Sequence, residues 1–196
     1  FFKKIDKVIA KEHFITVNFV NKEYQDCIPF LQDLDCNVNI LKAMNDLREL
    51  AINEGNPYAM AILGKIYKQG KYALRDLKKA IKFFALSAQK KCPEGYYFFG
   101  KEFYYGRFLN QDYELAEKYL RLAMYNNGDP RAGYYLYEIR DICQEKNDLP
   151  GLLKISAELG YRRALYKYGH RLITGKDHFQ IDEVKGYELI EMAASL

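Results

Sequence analysis

No stretch of the sequence approaches the roughly 20 consecutive apolar residues that a membrane-spanning helix requires, so membrane insertion is not expected. Cysteine is scarce. Cys27, Cys36, Cys92 and Cys143 form no CxxC pair, which excludes a zinc knuckle and a dense disulfide scaffold. Buried, reduced thiols are the expectation and fit a cytoplasmic setting; a Cys27–Cys36 bridge stays open for an exported protein. The chain starts at Phe1, which is compatible with prior removal of a targeting segment.

Histidine is scarcer still: His13, His170 and His178. His178 stands beside Asp177, but no second ligand lies at helical spacing, so no metal site is expected. There is no HExxH, no GxSxG, no phosphate-binding glycine loop and no Cys–His signature. Asp33 with Asp35, and Asp182 with Glu183, read as charges at helix starts rather than as a glycosidase pair. No catalytic residue and no cofactor is expected. A concentrated basic stripe is missing too. The 30 basic residues are spread among 26 acidic ones, and their clusters are as short as Lys78-Lys79, Lys90-Lys91 and Arg162-Arg163. Nucleic acid is therefore not an expected partner.

What the sequence holds is an apolar fraction of 49%, 18 Tyr and 12 Phe without a single Trp, and an internal repeat. Four segments align: NPYAMAILGKIYKQG from Asn56, CPEGYYFFGKEFYYG from Cys92, DPRAGYYLYEIRDIC from Asp129 and YRRALYKYGHRLITG from Tyr161. A small residue recurs at Ala59, Gly95, Ala132 and Ala164, in steps of 36, 37 and 32 residues. Five positions later stand Gly64, Gly100 and Gly169, and after six more Gly70, Gly106 and Gly175. Tyr137 and Cys143 break the rule in the third segment. Downstream, Asp76, Asp112 and Asp182 precede a second pattern with Ala80, Ala116 and Gly186 four residues on. The third unit is shortened, with Ser156-Ala157 in the place of Ser87-Ala88, and a half-unit, LKAMNDLRELAINEG, precedes the first.

Offsets of four, seven and eleven share one face of a helix with 3.6 residues per turn. Glycine inside a helix costs about 1 kcal/mol against alanine, so Gly64, Gly100 and Gly169 mark close contact with a neighbouring helix. Gly70, Gly106 and Gly175 suit left-handed helix ends, and the aspartates suit caps of the next helix. Asn56-Pro57 and Asp129-Pro130 read as helix starts. Each unit is thus a helical hairpin, and because a lone hairpin cannot bury its apolar face, such units stack.

The spacing A-x-x-x-[LYF]-G-x-x-[YF]-x-x-G, followed by D-x-x-x-A-x-x-[FY]-x-x-x-A-A, resembles the Sel-one-like repeat, a relative of the tetratricopeptide repeat. The resemblance covers residues 40–196, about four-fifths of the chain, with the third unit degenerate. It implies an all-α, right-handed superhelix of stacked helical hairpins. Residues 1–39 lack the pattern and are expected to cap it; HFITVNFV from His13 reads equally as strand or helix, and Pro29 bends or starts a helix. Leu196 falls inside the last helix as the repeat draws it, which lets the natural protein continue beyond it.

Offsets two, six and nine from each small residue point away from the hairpin core, toward the inner wall in this fold class. They place Ala61, Lys65 and Lys68, then Tyr97, Lys101 and Tyr104, then Tyr134, Glu138 and Asp141, then Tyr166, His170 and Ile173 on one face. Tyr97, Lys101, Tyr104, Tyr134, Glu138, Tyr166 and His170 are the candidate partner-binding residues, since rigid tyrosines bordered by charge suit protein recognition. Packing of these tyrosines between adjacent units is the alternative. The resemblance implies an adaptor that holds a protein or peptide in its groove, and the wealth of Lys, Ile, Asn and Tyr points to an AT-rich bacterial genome. An immunity protein neutralising a cognate secreted toxin is the second reading. A hydrolase or transferase using Cys27 or His13 is a third. Recognition of cell-wall or β-lactam-like ligands, known for cysteine-rich Sel-one-like proteins, does not carry over, because the regular cysteine pair per repeat is absent.

Overall fold

Asn56 and Asp129 each stand before a proline and turn a side-chain oxygen back onto the first helical turn. The Ala59 amide donates to Asn56 Oδ1 at 3.0 Å and the Arg131 amide to Asp129 Oδ1 at 2.9 Å. Proline suits the first helical position, where its missing N–H has no intrahelical partner to lose. The computed structural model describes residues 22–35, 39–144, 149–176 and 179–196. Within these the chain is helical, without strands, and forms two compact units, 22–126 and 127–196.

The first unit runs α1 (Lys22–Gln25), α2 (Ile28–Asp35), α3 (Ile40–Ile52), α4 (Pro57–Gln69), α5 (Leu77–Gln89), α6 (Pro93–Tyr105) and α7 (Tyr113–Asn127), whose last residue crosses the boundary. Consecutive helices from α2 to α6 pack on one another, and α6 also meets α4. The core is built from side chains such as Leu47, Tyr58, Leu63 and Phe84 together with Cys27 and Cys92. Pro29 lies in the first turn of α2, and Asn56 Nδ2 donates to the Glu23 carbonyl at 2.8 Å, tying the N-terminal segment to the start of α4.

The second unit runs α8 (Pro130–Ile142), α9 (Leu149–Glu158), α10 (Arg162–Thr174) and α11 (Glu183–Ala194), each packed on the next. Asp76, Asp112 and Asp182 cap α5, α7 and α11 by accepting from the amides of Lys79, Leu115 and Lys185 at 3.0, 2.8 and 3.0 Å. Their own amides donate back to carbonyls of the preceding helix: Tyr67, Phe103 and Leu172, at 3.0, 3.1 and 3.0 Å. One residue thus stops the turn and starts the second helix.

The close contacts expected of the internal glycines are present. A Cβ on Gly169 would lie 2.5 Å from the Gly186 carbonyl oxygen, and one on Gly64 would lie 2.5 Å from the Phe84 ring. Gly70, Gly106 and Gly175 end their helices at φ 74°, 61° and 63°, a conformation that a Cβ disfavours. The third hairpin departs from this plan. Tyr137 fills the glycine position and is fully buried, and the left-handed residue is Gln144, one place later, at φ 57°.

Two expectations need correction. Asp33 and Asp35 lie in the last turn of α2, not at a helix start. Cys143 is exposed rather than buried, because it sits just past the end of α8. Cys27 is a free thiol buried in the core, 3.8 Å from Asn56 Oδ1, as expected of a reduced thiol. His13 with its HFITVNFV segment, Cys36, Asp177 and His178 lie outside the described residues.

Candidate functional site

The face expected from offsets two, six and nine is graded rather than uniform. In the first unit Ala61 and Tyr97 are buried, Lys101, Tyr104 and Lys68 are half-buried, and Lys65 is exposed. Tyr97 retains 3% of its surface and packs 5.0 Å from Phe98, so it belongs to the interior. Its hydroxyl accepts from Lys101 Nζ at 3.1 Å, and the same ammonium lies 5.3 Å from the Tyr97 ring and 6.0 Å from Tyr105. Tyr104 packs edge-on to Tyr105. This is a cation held among aromatic rings.

In the second unit Tyr134, Glu138 and Asp141 are half-buried, and Tyr166 and His170 are exposed, Tyr166 at 56%. Tyr134 meets Tyr161, at the start of α10, edge-on with centroids 5.5 Å apart. It therefore packs between hairpins and borders the surface at once. Burial pushes the Tyr134 hydroxyl pKa up, and the neighbouring Glu138 carboxylate adds to the shift. The phenol stays protonated and able to donate.

Tyr134 (α8), Tyr166 and His170 (α10) line one cleft of about 980 Å³. Arg162, Arg163, Lys167 and Arg171 line it from α10, and Ile190, Ala193 and Ala194 form an apolar side from α11. Three of these cations are held in place. Lys167 Nζ donates to Glu138 Oε1 at 2.5 Å and lies 3.7 Å from Asp141 Oδ2. Arg171 donates to Asp141 Oδ2 at 3.1 Å and to the Tyr137 hydroxyl at 2.9 Å, and Arg163 donates to the Tyr135 hydroxyl at 3.2 Å. Ion pairs of this half-buried kind contribute little net stability, but they fix the direction of long side chains.

Such ties repeat along the chain in one register. The position nine beyond the small residue in one hairpin meets the position seven beyond it in the next. It is Lys68 with Glu102 in the first unit and Asp141 with Arg171 in the second, so the polarity is reversed. Glu102 is almost fully buried, which makes its pairing to Lys68 obligatory.

Of the residues expected from the offsets, Tyr134, Tyr166 and His170 line this cleft, and Glu138 stands behind it as the partner of Lys167; Lys167 and Arg171 were not among the expected residues, and Arg162-Arg163 read only as a short cluster. The available signal was the absence of any acid in RRALYKYGHRLIT. Among the described residues no group of three or more His, Cys, Asp or Glu converges as a metal site would. No described helix is long and apolar enough to cross a membrane.

Residues 57–92, 93–128 and 162–196, more than half of the chain, match the family model of the Sel1 repeat. They leave out residues 129–161, which contain the hairpin with Tyr137 in the glycine position. Among solved structures, a Sel1 repeat protein from Oxalobacter formigenes superposes with a TM-score of 0.76 at 21% identity, covering 89% of this chain and 73% of that one. A protective antigen of uropathogenic Escherichia coli strains displaying an SLR fold is similar at 16% identity with a TM-score of 0.47, covering 95% of this chain and 56% of its own. No curated protein matches the sequence.

Proposed function

The chain belongs to the Sel1 repeat family, a non-catalytic protein-interaction fold, and we propose that it acts as an adaptor that seats a polypeptide in the cleft between α8, α10 and α11. The observation that carries this reading is the cleft itself: Tyr166 and His170 stand exposed at its rim, and Tyr134 is braced against Tyr161. Tyrosine supplies contact area with few rotatable bonds, and a ring already braced loses little further freedom on binding. Ion pairs from Glu138 and Asp141 preset the cations around it. Glu138 serves as a positioning group in this reading. Tyr97, Lys101 and Tyr104 support the first unit's own surface.

Selection of a displayed random-peptide library on the immobilised full chain tests the reading. Enriched peptides should bind the parent chain and lose at least about tenfold in affinity on Tyr166→Ala, as an interface anchor would. The melting temperature should hold, because the side chain is mostly exposed. Enriched peptides indifferent to Tyr166→Ala would move the binding surface elsewhere.

A further inference from the structure

The cleft's charge is one-sided in a chain whose charges are otherwise interspersed. Its rim carries Arg162, Arg163, Lys167 and Arg171, all from α10, with His170 between them, and no carboxylate lines it. Glu138 and Asp141 answer Lys167 and Arg171 from α8, which leaves a surplus of positive charge toward the opening. Among the described residues Arg162 and His170 have no ion-pair partner, and both are exposed.

We infer that the occupant of this cleft is an acidic peptide segment, with carboxylates against α10 and an apolar side chain between Tyr166 and the Ile190 side of α11. The inference rests on the function proposed above and specifies its ligand class. Charge complementarity argues for carboxylates: guanidinium groups take them in a planar, two-pronged geometry, and Arg162 is exposed and available for it. The apolar flank argues for a peptide over a nucleic acid, because Ile190, Ala193 and Ala194 offer a phosphate backbone nothing. Cations confined to one helix do not form the stripe that tracks a nucleic acid strand.

The test uses the full chain and four fluorescent probes: a ten-residue peptide library with Asp or Glu at alternate positions and Leu, Phe or Tyr between them; the same library with Asn and Gln for the acids; its Lys and Arg counterpart; and a single-stranded oligonucleotide. The acidic library should contain the tightest binders, and Arg162→Glu should weaken them at least about tenfold, as loss of a charge-assisted contact does. Raising the salt concentration should weaken them too. Arg162→Glu should melt with the parent chain, and Arg162→Lys should retain part of the binding.

The inference is overturned if the amide library binds as tightly as the acidic one, if the oligonucleotide binds more tightly than any peptide, or if Arg162→Glu leaves acidic binding unchanged. Uncharged peptides that bind and are lost on Tyr166→Ala would sink the acidic class while leaving the adaptor reading standing. Failure of every library to yield a binder sensitive to Tyr166→Ala would sink both.

Discussion

The α4–α5 and α8–α9 hairpins solve the same packing problem in opposite ways. In α4–α5 the contact position holds Gly64, and the Phe84 ring of the second helix fills the space over it. In α8–α9 the equivalent position holds Tyr137, fully buried, and the second helix is 10 residues long where α5 has 13. Glycine spends the position on bringing two helices of one hairpin together. Tyrosine spends it on reaching the next hairpin, because its hydroxyl accepts from Arg171 and Lys167 sits 5.0 Å from its ring. A departure from the repeat consensus therefore coincides with the place where cleft-lining cations are held. It reads as specialisation rather than decay.

The comparison is most sharply tested at Tyr137. Tyr137→Ala should cost about 3–5 kcal/mol, the range for emptying a buried aromatic site, read from urea unfolding. Tyr137→Phe should cost only about 1 kcal/mol, the net value of one hydrogen bond, while loosening Arg171. Equal losses for the two variants would mean that the ring contributes nothing by filling space.

Next in size is the glycine side of the comparison. Gly169→Ala gains about 1 kcal/mol of helix propensity but must displace the Gly186 backbone, a strain of about 1–3 kcal/mol or more. The variant should be less stable than the parent, and Gly64→Ala should be affected less, since the Phe84 ring can turn aside more readily than backbone can move. A stabilised Gly169→Ala would show that the helices have room to part.

The smallest effect separates the two units by alkali. Burial pushes Cys27 up to about 12 and Cys92 to about 11 from an ordinary 9.0, and both lie in the first unit. Raised thiol values mean that the unfolded chain releases these protons first, so the stability they reflect is complete below pH 9 and is lost as the pH rises toward the folded values. The raised tyrosines, Tyr96 in the first unit and Tyr134 and Tyr168 in the second, enter only from their ordinary value of 10.0 upward. The urea midpoint should begin to fall above pH 9 in the parent, and later in a Cys27→Ala/Cys92→Ala variant. Coincident curves would remove the thiols from the account.

Much of this was legible in the sequence because hairpin closure is a local matter. Gly64, Gly100, Gly169 and the three capping aspartates act on residues within about thirty positions, and their geometry forces the residue type. The cleft surface was read only in part. An offset fixes a direction around one helix, but not what the neighbouring helix lays over it, and so Tyr97 turned out buried while Tyr166 stood free. Lys167 and Arg171 were invisible as a site because their carboxylates, Glu138 and Asp141, belong to the preceding repeat. The end of α2 was misjudged at Asp33 and Asp35 because no repeat constrains that segment.

The reversed polarity of the inter-hairpin ties has a consequence for how such a chain can change over time. If the fourth hairpin were transplanted behind the first, Arg171 would confront Lys68. If the second were moved behind the third, Glu102 would confront Asp141, two carboxylates at a site where one is already desolvated. Repeat genes readily duplicate and recombine, yet these two swaps would each set like charges against one another. The order of the hairpins is thereby written into their seams, as in a set of keyed connectors.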